Sequence, residues 1–297
     1  LPASCSICGA ADWEKKVTQT AFLESLRERW CDPARLLCVG LDPEPERLPR
    51  SVRSLPLAEG VWVFCREVIE ACAPYVCAFK PQIAHFAALG LEGVLERLIT
   101  YVKLHHPDVP VILDAKRGDI GSTARHYARE AFDRYGADAV TVNPYLGADS
   151  LEPFFSRPGK GVFVLCRTSN PGSAELQALE LAGGERLFER VARLVAGPWN
   201  ANGQAGLVVG ATWPQEVARV RRLAPGVPLL VPGIGAQGGD LAATVRAGWW
   251  RPEFPGLILN SSRAILYASE GEDWQDAAAA AAQSVHAAVR AALADRA

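Results

Sequence analysis

The chain has 297 residues, of which 49% are hydrophobic, and its 31 basic and 33 acidic residues leave a formal net charge of −2. That balance gives no overall pull toward nucleic acid or an anionic membrane, and the apolar fraction is ample for a large core. No apolar stretch reaches the roughly 18 residues of a membrane span and no signal-peptide pattern opens the sequence, so a cytoplasmic protein without a membrane partner is expected.

The eight cysteines fit a reducing compartment. Cys38, Cys77 and Cys166 sit inside apolar runs, where a free thiol packs as a small hydrophobe. Cys5 and Cys8 form one C-x-x-C, half of a zinc site with no second pair in register. The sequence contains no methionine.

In chain order, Thr18–Trp30 reads as a helix ahead of the first strand. Eight short apolar runs follow: Leu36–Leu41, Tyr75–Phe79, Val109–Leu113, Ala139–Val142, Gly161–Leu165, Gly206–Val209, Pro228–Val231 and Gly256–Leu259. Each is continuously apolar rather than alternating, as in strands buried on both faces. Between them lie helical patterns at Ala58–Ala73, Leu91–His105, Ser122–Tyr135, Ala182–Ala196, Gln215–Leu223 and Asp240–Ala247, with "GADSLEPFFS" as a short helix after the fourth strand. The alanine-rich C-terminal stretch reads as one long helix. Strand and helix alternating eight times predict an α/β fold, a (β/α)8 TIM barrel in a single catalytic domain over residues 31–297, with residues 1–30 as an N-terminal extension and helix.

A barrel of this kind carries its chemistry on the C-terminal ends of its strands. There the sequence is unusually polar: Asp42 after the first strand, Lys80 after the second, Asp114 and Lys116 after the third, and Arg167 to Asn170 after the fifth. Singly, each reads as a solvated loop charge. A lysine and aspartates at three successive strand ends read as either an ion-pair cluster closing the barrel top or a site. Residues i and i+2 of a strand share a face, so Asp114 and Lys116 are expected to point together into the mouth, with Lys80 beside them. Asp119 falls on the loop beyond. A Lys–Asp–Lys–Asp array keeps every member ionised, because each charge has an opposite neighbour. At the seventh and eighth strand ends, "PGIGAQGGD" offers uncrowded backbone N–H groups and Arg263 a planar donor fork, a combination suited to phosphate. The sequence has no H-E-x-x-H, no Cys₂His₂ pattern and no G-x-S-x-G, so neither a metal nor a serine nucleophile is expected.

The run "LDAKRGDIGSTA" at residues 113–124 resembles the signature of the orotidine 5′-phosphate decarboxylase family, in its longer bacterial form, the type 2 subfamily. Companion blocks occur in order: "CVGLDPEPERLP", "AFKPQIAHFAALG", "TVNPYLGADSLEPF", "CRTSNPGS", "GLVVGATWP", "VPGIGAQGGD" and "LILNSSRAI". The resemblance implies decarboxylation of orotidine 5′-monophosphate (OMP) to uridine 5′-monophosphate (UMP) and CO₂, without cofactor or metal, in a homodimer with shared sites. It implies that Lys116 delivers a proton to pyrimidine C6, that Asp114 sits against the substrate carboxylate, and that Lys80 holds Asp114 and a ribose hydroxyl. Asp42 would bind the ribose and Ser169 the pyrimidine. Gln237 and Arg263 would grip the phosphate, with Gly235, Ser262 and Pro232 as further substrate contacts. Asp119, Ile120 and Thr123 would reach into the site of the other subunit. Two rivals remain: a Mg²⁺-dependent sugar-phosphate enzyme of the wider superfamily, which shares the Asp-x-Lys-x-x-Asp arrangement, and a silent barrel that only binds uridine nucleotides.

Overall fold

The computed structural model describes residues 21–234 and 239–295. Eight parallel strands form one sheet: β1 (Leu37–Leu41), β2 (Val76–Pro81), β3 (Ile112–Arg117), β4 (Ala139–Val142), β5 (Gly161–Arg167), β6 (Ala205–Val209), β7 (Leu229–Pro232) and β8 (Leu257–Ser261). Their order is β2-β1-β8-β7-β6-β5-β4-β3. Single bridges Phe79↔Val111 and Gln82↔Asp114 join β2 to β3 and close the ring. Helices stand outside each crossover, among them Leu57–Cys72, Glu92–His105, Gly121–Arg129, Leu187–Ala196, Pro214–Leu223 and Leu241–Gly248, with Trp274–Ala294 closing the chain. This is the expected TIM barrel.

The apolar runs become strands because helices cover them on one side and barrel side chains on the other. β1, β2, β4, β6 and β8 are buried along their whole length. Several strands extend past the apolar runs that announced them. β2 continues through Lys80 and Pro81, β3 through Asp114 to Arg117, β5 through Cys166 and Arg167, and β8 through Asn260 and Ser261. Polar residues can continue a backbone ladder; the apolar run marks only the part that is dry on both faces.

The helix Ala21–Arg29 lies at the N-terminal end of the barrel, where the Phe22 ring meets Phe163 edge-on at 5.8 Å between centroids. Gly161 admits it, since a Cβ there would lie 2.4 Å from the Phe22 ring. Arg29, almost wholly buried, donates to the carbonyls of Ala73 and Val76 and pairs with Asp108 at 2.6 Å, tying this helix to the start of β2. The expectations for residues 1–20, including Cys5 and Cys8, lie outside the described residues. Cys38, Cys65, Cys72, Cys77 and Cys166 are free and buried. Burial pushes their thiols up, to about 12 for Cys72 and Cys77, so they pack as hydrophobes rather than react. No helix among the described residues is long and apolar enough to cross a membrane.

Candidate active site

A cavity of about 470 Å³ opens at the C-terminal end of the barrel. Asp42, Lys80, Asp114 and Lys116 line it, and Ser169, Pro232, Ser262 and Arg263 line it as well. Eight of the expected residues, drawn from the ends of six strands, therefore share one space.

Asp114 is the hub. Its Oδ2 accepts from Lys80 Nζ at 2.8 Å, and its Oδ1 from Lys116 Nζ at 2.6 Å and Thr141 Oγ1 at 2.8 Å. Burial alone would raise the Asp114 carboxyl, but the two ammonium groups and the hydrogen bonds outweigh it and hold the carboxyl well below the usual range. Burial likewise works against a charged Lys80. The neighbouring Asp114 and Asp42 prevail and raise it above an ordinary lysine. Both members thus stay ionised in a nearly dry environment. The Lys116 side chain differs: 45% of it is exposed, so its ammonium reaches both Asp114 and the open cavity.

Asp114 and Lys116 do meet, but not by the regular strand alternation expected of i and i+2. The β3–β4 register slips between Leu113 and Arg117, and Lys116 adopts φ 47°, left-handed backbone that an L residue rarely takes. Arg117 then turns away to Glu130, to which it donates two hydrogen bonds at 3.0 and 3.1 Å, and stacks over Tyr127. That anchor holds the end of β3 from behind.

Asp42 is held by the loop after β1. The Tyr267 hydroxyl accepts from the Glu44 amide at 2.7 Å and donates to the Asp42 carbonyl at 3.3 Å. Asp42 Oδ1 and, on the neighbouring strand β8, Asn260 Oδ1 are buried polar atoms without a hydrogen-bond partner, and both residues line the cavity. Unpartnered acceptors of this kind suit ligand hydroxyls or N–H groups. Gly40 lets Ser262 approach, because a Cβ there would fall 1.8 Å from Ser262 Oγ.

Ser169 stands on a loop pinned from beneath. Arg167, buried at the end of β5, donates to Glu216 Oε2 at 2.7 Å and to Ser173 Oγ, and Ser173 Oγ donates back to the Asn170 carbonyl at 2.6 Å. Gly210 passes directly under Ser169; a Cβ there would meet the Ser169 backbone at 2.8 Å.

Asp119, Ile120 and Thr123 do not line the cavity. Asp119 Oδ1 accepts from the Ile120 amide at 2.8 Å, Ile120 is 57% exposed, and Thr123 is exposed on the helix Gly121–Arg129. Within one chain the array is therefore Lys80–Asp114–Lys116, without its fourth member. Gly235 and Gln237 lie outside the described residues, although Gly233 and Ile234, just before them, line the cavity. Thr141 went unrecognised in the sequence. A threonine inside "AVTV" reads as a β-branched strand residue, and only its position opposite the slipped part of β3 marks it out. Among the described residues, no group of three or more His, Cys, Asp or Glu side chains could hold a metal ion.

The family described as "Orotidine 5'-phosphate decarboxylase / HUMPS family" matches residues 35–287 of this chain. Curated proteins named orotidine 5′-phosphate decarboxylase are similar over nearly their whole length. That of Azoarcus sp. (strain BH72) is 58% identical over 270 residues, 91% of this chain and 98% of its own. That of Variovorax paradoxus (strain S110) is 57% identical over 274 residues, with the same coverage of 91% and 98%. Among solved structures, the OMP decarboxylase of Leishmania donovani superposes with a TM-score of 0.75 at 42% identity, covering 90% of this chain and 97% of that one. The UMP synthase of Leishmania donovani gives 0.80 at 43% identity and covers 92% of this chain, which spans 56% of that longer protein. The chain belongs to the orotidine 5′-phosphate decarboxylase family.

Proposed function

We propose that the chain decarboxylates orotidine 5′-monophosphate to uridine 5′-monophosphate and CO₂, a step of pyrimidine biosynthesis, using its own side chains and no cofactor. The observation that carries the reading is the Lys80–Asp114–Lys116 array in a cavity whose other wall presents Ser262 and Arg263.

Arg263 and Gln237 grip the phosphate, with Gly235 and Ser262 assisting and Pro232 lining the pocket. Asp42, with its unpartnered Oδ1, accepts from a ribose hydroxyl, as Lys80 donates to another. Ser169 hydrogen-bonds the pyrimidine. Those contacts set the carboxylate beside Asp114. The bond between C6 and the carboxylate carbon breaks, its electron pair stays on C6, and the Lys116 ammonium transfers a proton there as CO₂ leaves. A fixed ammonium stabilises charge developing on C6 without reorganisation, which is the larger part of such catalysis. Binding energy from the remote phosphate holds the substrate in this charged surrounding. The exposed side of Lys116 gives it a route to regain its proton from solvent.

The active form is a homodimer. Asp119, Ile120 and Thr123 do not line their own cavity, and exposed Ile120, Tyr145 and Leu146 lie at the same end of the barrel. Asp119 from one protomer completes the array of its partner, supplying the fourth charge that the single chain lacks.

Loss of OMP ultraviolet absorbance, followed with and without EDTA, tests the reading. Equal turnover under both conditions is expected. Turnover abolished by EDTA would favour the Mg²⁺-dependent sugar-phosphate chemistry, and UMP binding without any turnover would leave a silent nucleotide-binding barrel.

A further inference from the structure

The β3–β4 ladder pairs Ile112 with Ala139 and Leu113 with Val140, then jumps to Arg117 with Val142. Three residues of β3, Asp114 to Lys116, therefore stand opposite the single residue Thr141. Such a bulge leaves amides without ladder partners. Here one side chain takes them both: Thr141 Oγ1 accepts from the Ala115 amide at 3.0 Å and the Lys116 amide at 2.9 Å. A hydroxyl offers two lone pairs and one hydrogen. With the lone pairs occupied, the hydrogen has one destination, Asp114 Oδ1 at 2.8 Å. Thr141 is 1% exposed, lies within β4 and borders the cavity.

We propose that Thr141 is a positioning residue for decarboxylation: its hydroxyl holds the Lys116 backbone in its left-handed turn and aims the Asp114 carboxylate, so that the Lys116 ammonium stands where the reaction needs it. The proposal deepens the function above and rests on it. Left-handed backbone at a lysine persists only where surrounding bonds over-determine it. The Lys116 amide bond to Thr141 is such a restraint, and Asp114 Oδ1, which Thr141 shares with Lys116 Nζ, is the second. Removal of the hydroxyl releases the first and takes from Asp114 Oδ1 one of the two donors that aim it. The Arg263 and Ser262 wall of the cavity does not involve this bulge, so ligand affinity is separable from turnover.

The test compares Thr141→Val, which keeps the shape and removes the hydroxyl, with Thr141→Ser, which keeps the hydroxyl. For Thr141→Val, kcat on OMP is expected to fall about 100-fold, the scale set by a small displacement of a reacting group. KM and UMP affinity should stay within about threefold of the parent, and Thr141→Ser should retain kcat within about fivefold, because the hydroxyl supplies the same bonds. Parental kcat in Thr141→Val, an equal loss in both variants, or a loss confined to KM would overturn the proposal. If Thr141→Val does not fold, Thr141→Ala takes its place. Failure of both to fold beside a folded Thr141→Ser would make the hydroxyl a requirement of the fold and would likewise overturn it. An unsubstituted chain that binds UMP but leaves OMP intact overturns the function itself, an outcome distinct from all of these.

Discussion

Both ends of the barrel bury charge, and they treat it differently. At the N-terminal end Arg221 is fully enclosed, and its guanidinium donates to the carbonyls of Gly248, Ala224, Val227 and Gly256 at 2.7–3.3 Å. Burial pulls Arg221 down to about 9, which still leaves it charged at neutral pH. Arg29 is held the same way, by the Ala73 and Val76 carbonyls together with Asp108. Each of these cations makes four hydrogen bonds to fixed partners, nearly all of them backbone carbonyls, which leaves little to offer a ligand. At the C-terminal end the charges pair with one another, Lys116 sits on left-handed backbone, and the acceptors of Asp42 and Asn260 go unpartnered. Buried charge alone does not mark a site. Nor does an unpartnered atom alone, since Arg27 Nε and Arg35 Nε are buried without a partner as well; paired charges and unpartnered acceptors that line one cavity do.

Substitutions at the two ends should separate stability from function. The largest effect is expected for Lys116→Ala, which on the proposed mechanism removes both the proton donor and the charge facing C6. Turnover should fall by at least about 10⁴-fold, the combined scale of general acid and electrostatic stabilisation. UMP affinity, measured by calorimetry, should stay within about tenfold, since the proposed phosphate contacts do not include Lys116. Mixing this variant with Asp119→Ala chains should restore activity if sites are shared between protomers. Absence of recovery despite proven subunit exchange would count against sharing.

Arg221→Ala should do the opposite. Buried carbonyls lose their donor, so denaturant unfolding should show a loss of roughly 3 kcal/mol, while the folded fraction keeps its kcat. A fall in kcat at unchanged stability would break the distinction between the two ends. Arg263→Ala comes next: loss of a charged donor fork should weaken UMP by roughly 2–3 kcal/mol, about 100-fold, without moving the unfolding midpoint.

The smallest effect is a pH dependence. The folded Asp114 carboxyl is depressed, so its contribution to stability is complete above its unfolded value near 3.9 and fades as pH falls through the lower folded value. Lys80 is raised, so its contribution is complete below about 10.4 and fades only as pH rises toward its higher folded value. The stability gap between the parent and Asp114→Asn should therefore shrink as pH falls below about 4, because the parent loses there a contribution the variant never had. A gap that stays unchanged on acidification below about pH 4 would show that Asp114 is not held ionised as the geometry requires.

The strands were legible because each is buried on both faces, which writes itself as a continuous apolar run. Their ends were read short at Lys80, Asp114–Arg117 and Arg167, where the ladder goes on but the dryness does not. The cluster of Asp42, Lys80, Asp114 and Lys116 was legible once a barrel was assumed, since the fold dictates which strand ends converge. Thr141 was not, because hydroxyls inside strands are common and its three bonds depend on a register slip in the neighbouring strand. Nor did spacing reveal how Arg167 pins the Ser169 loop through Ser173 and Glu216, residues 6 and 49 positions away.

The sequence by itself determined the eightfold alternation, the mouth where polar residues gather and the family to which they belong, because burial periodicity and strand ends are local properties. Only the tertiary structure decided that β3 bulges, that Lys116 turns left-handed to meet Asp114, and that Thr141 holds the bulge. Those facts arise from the register of one strand against the next, which no single strand encodes.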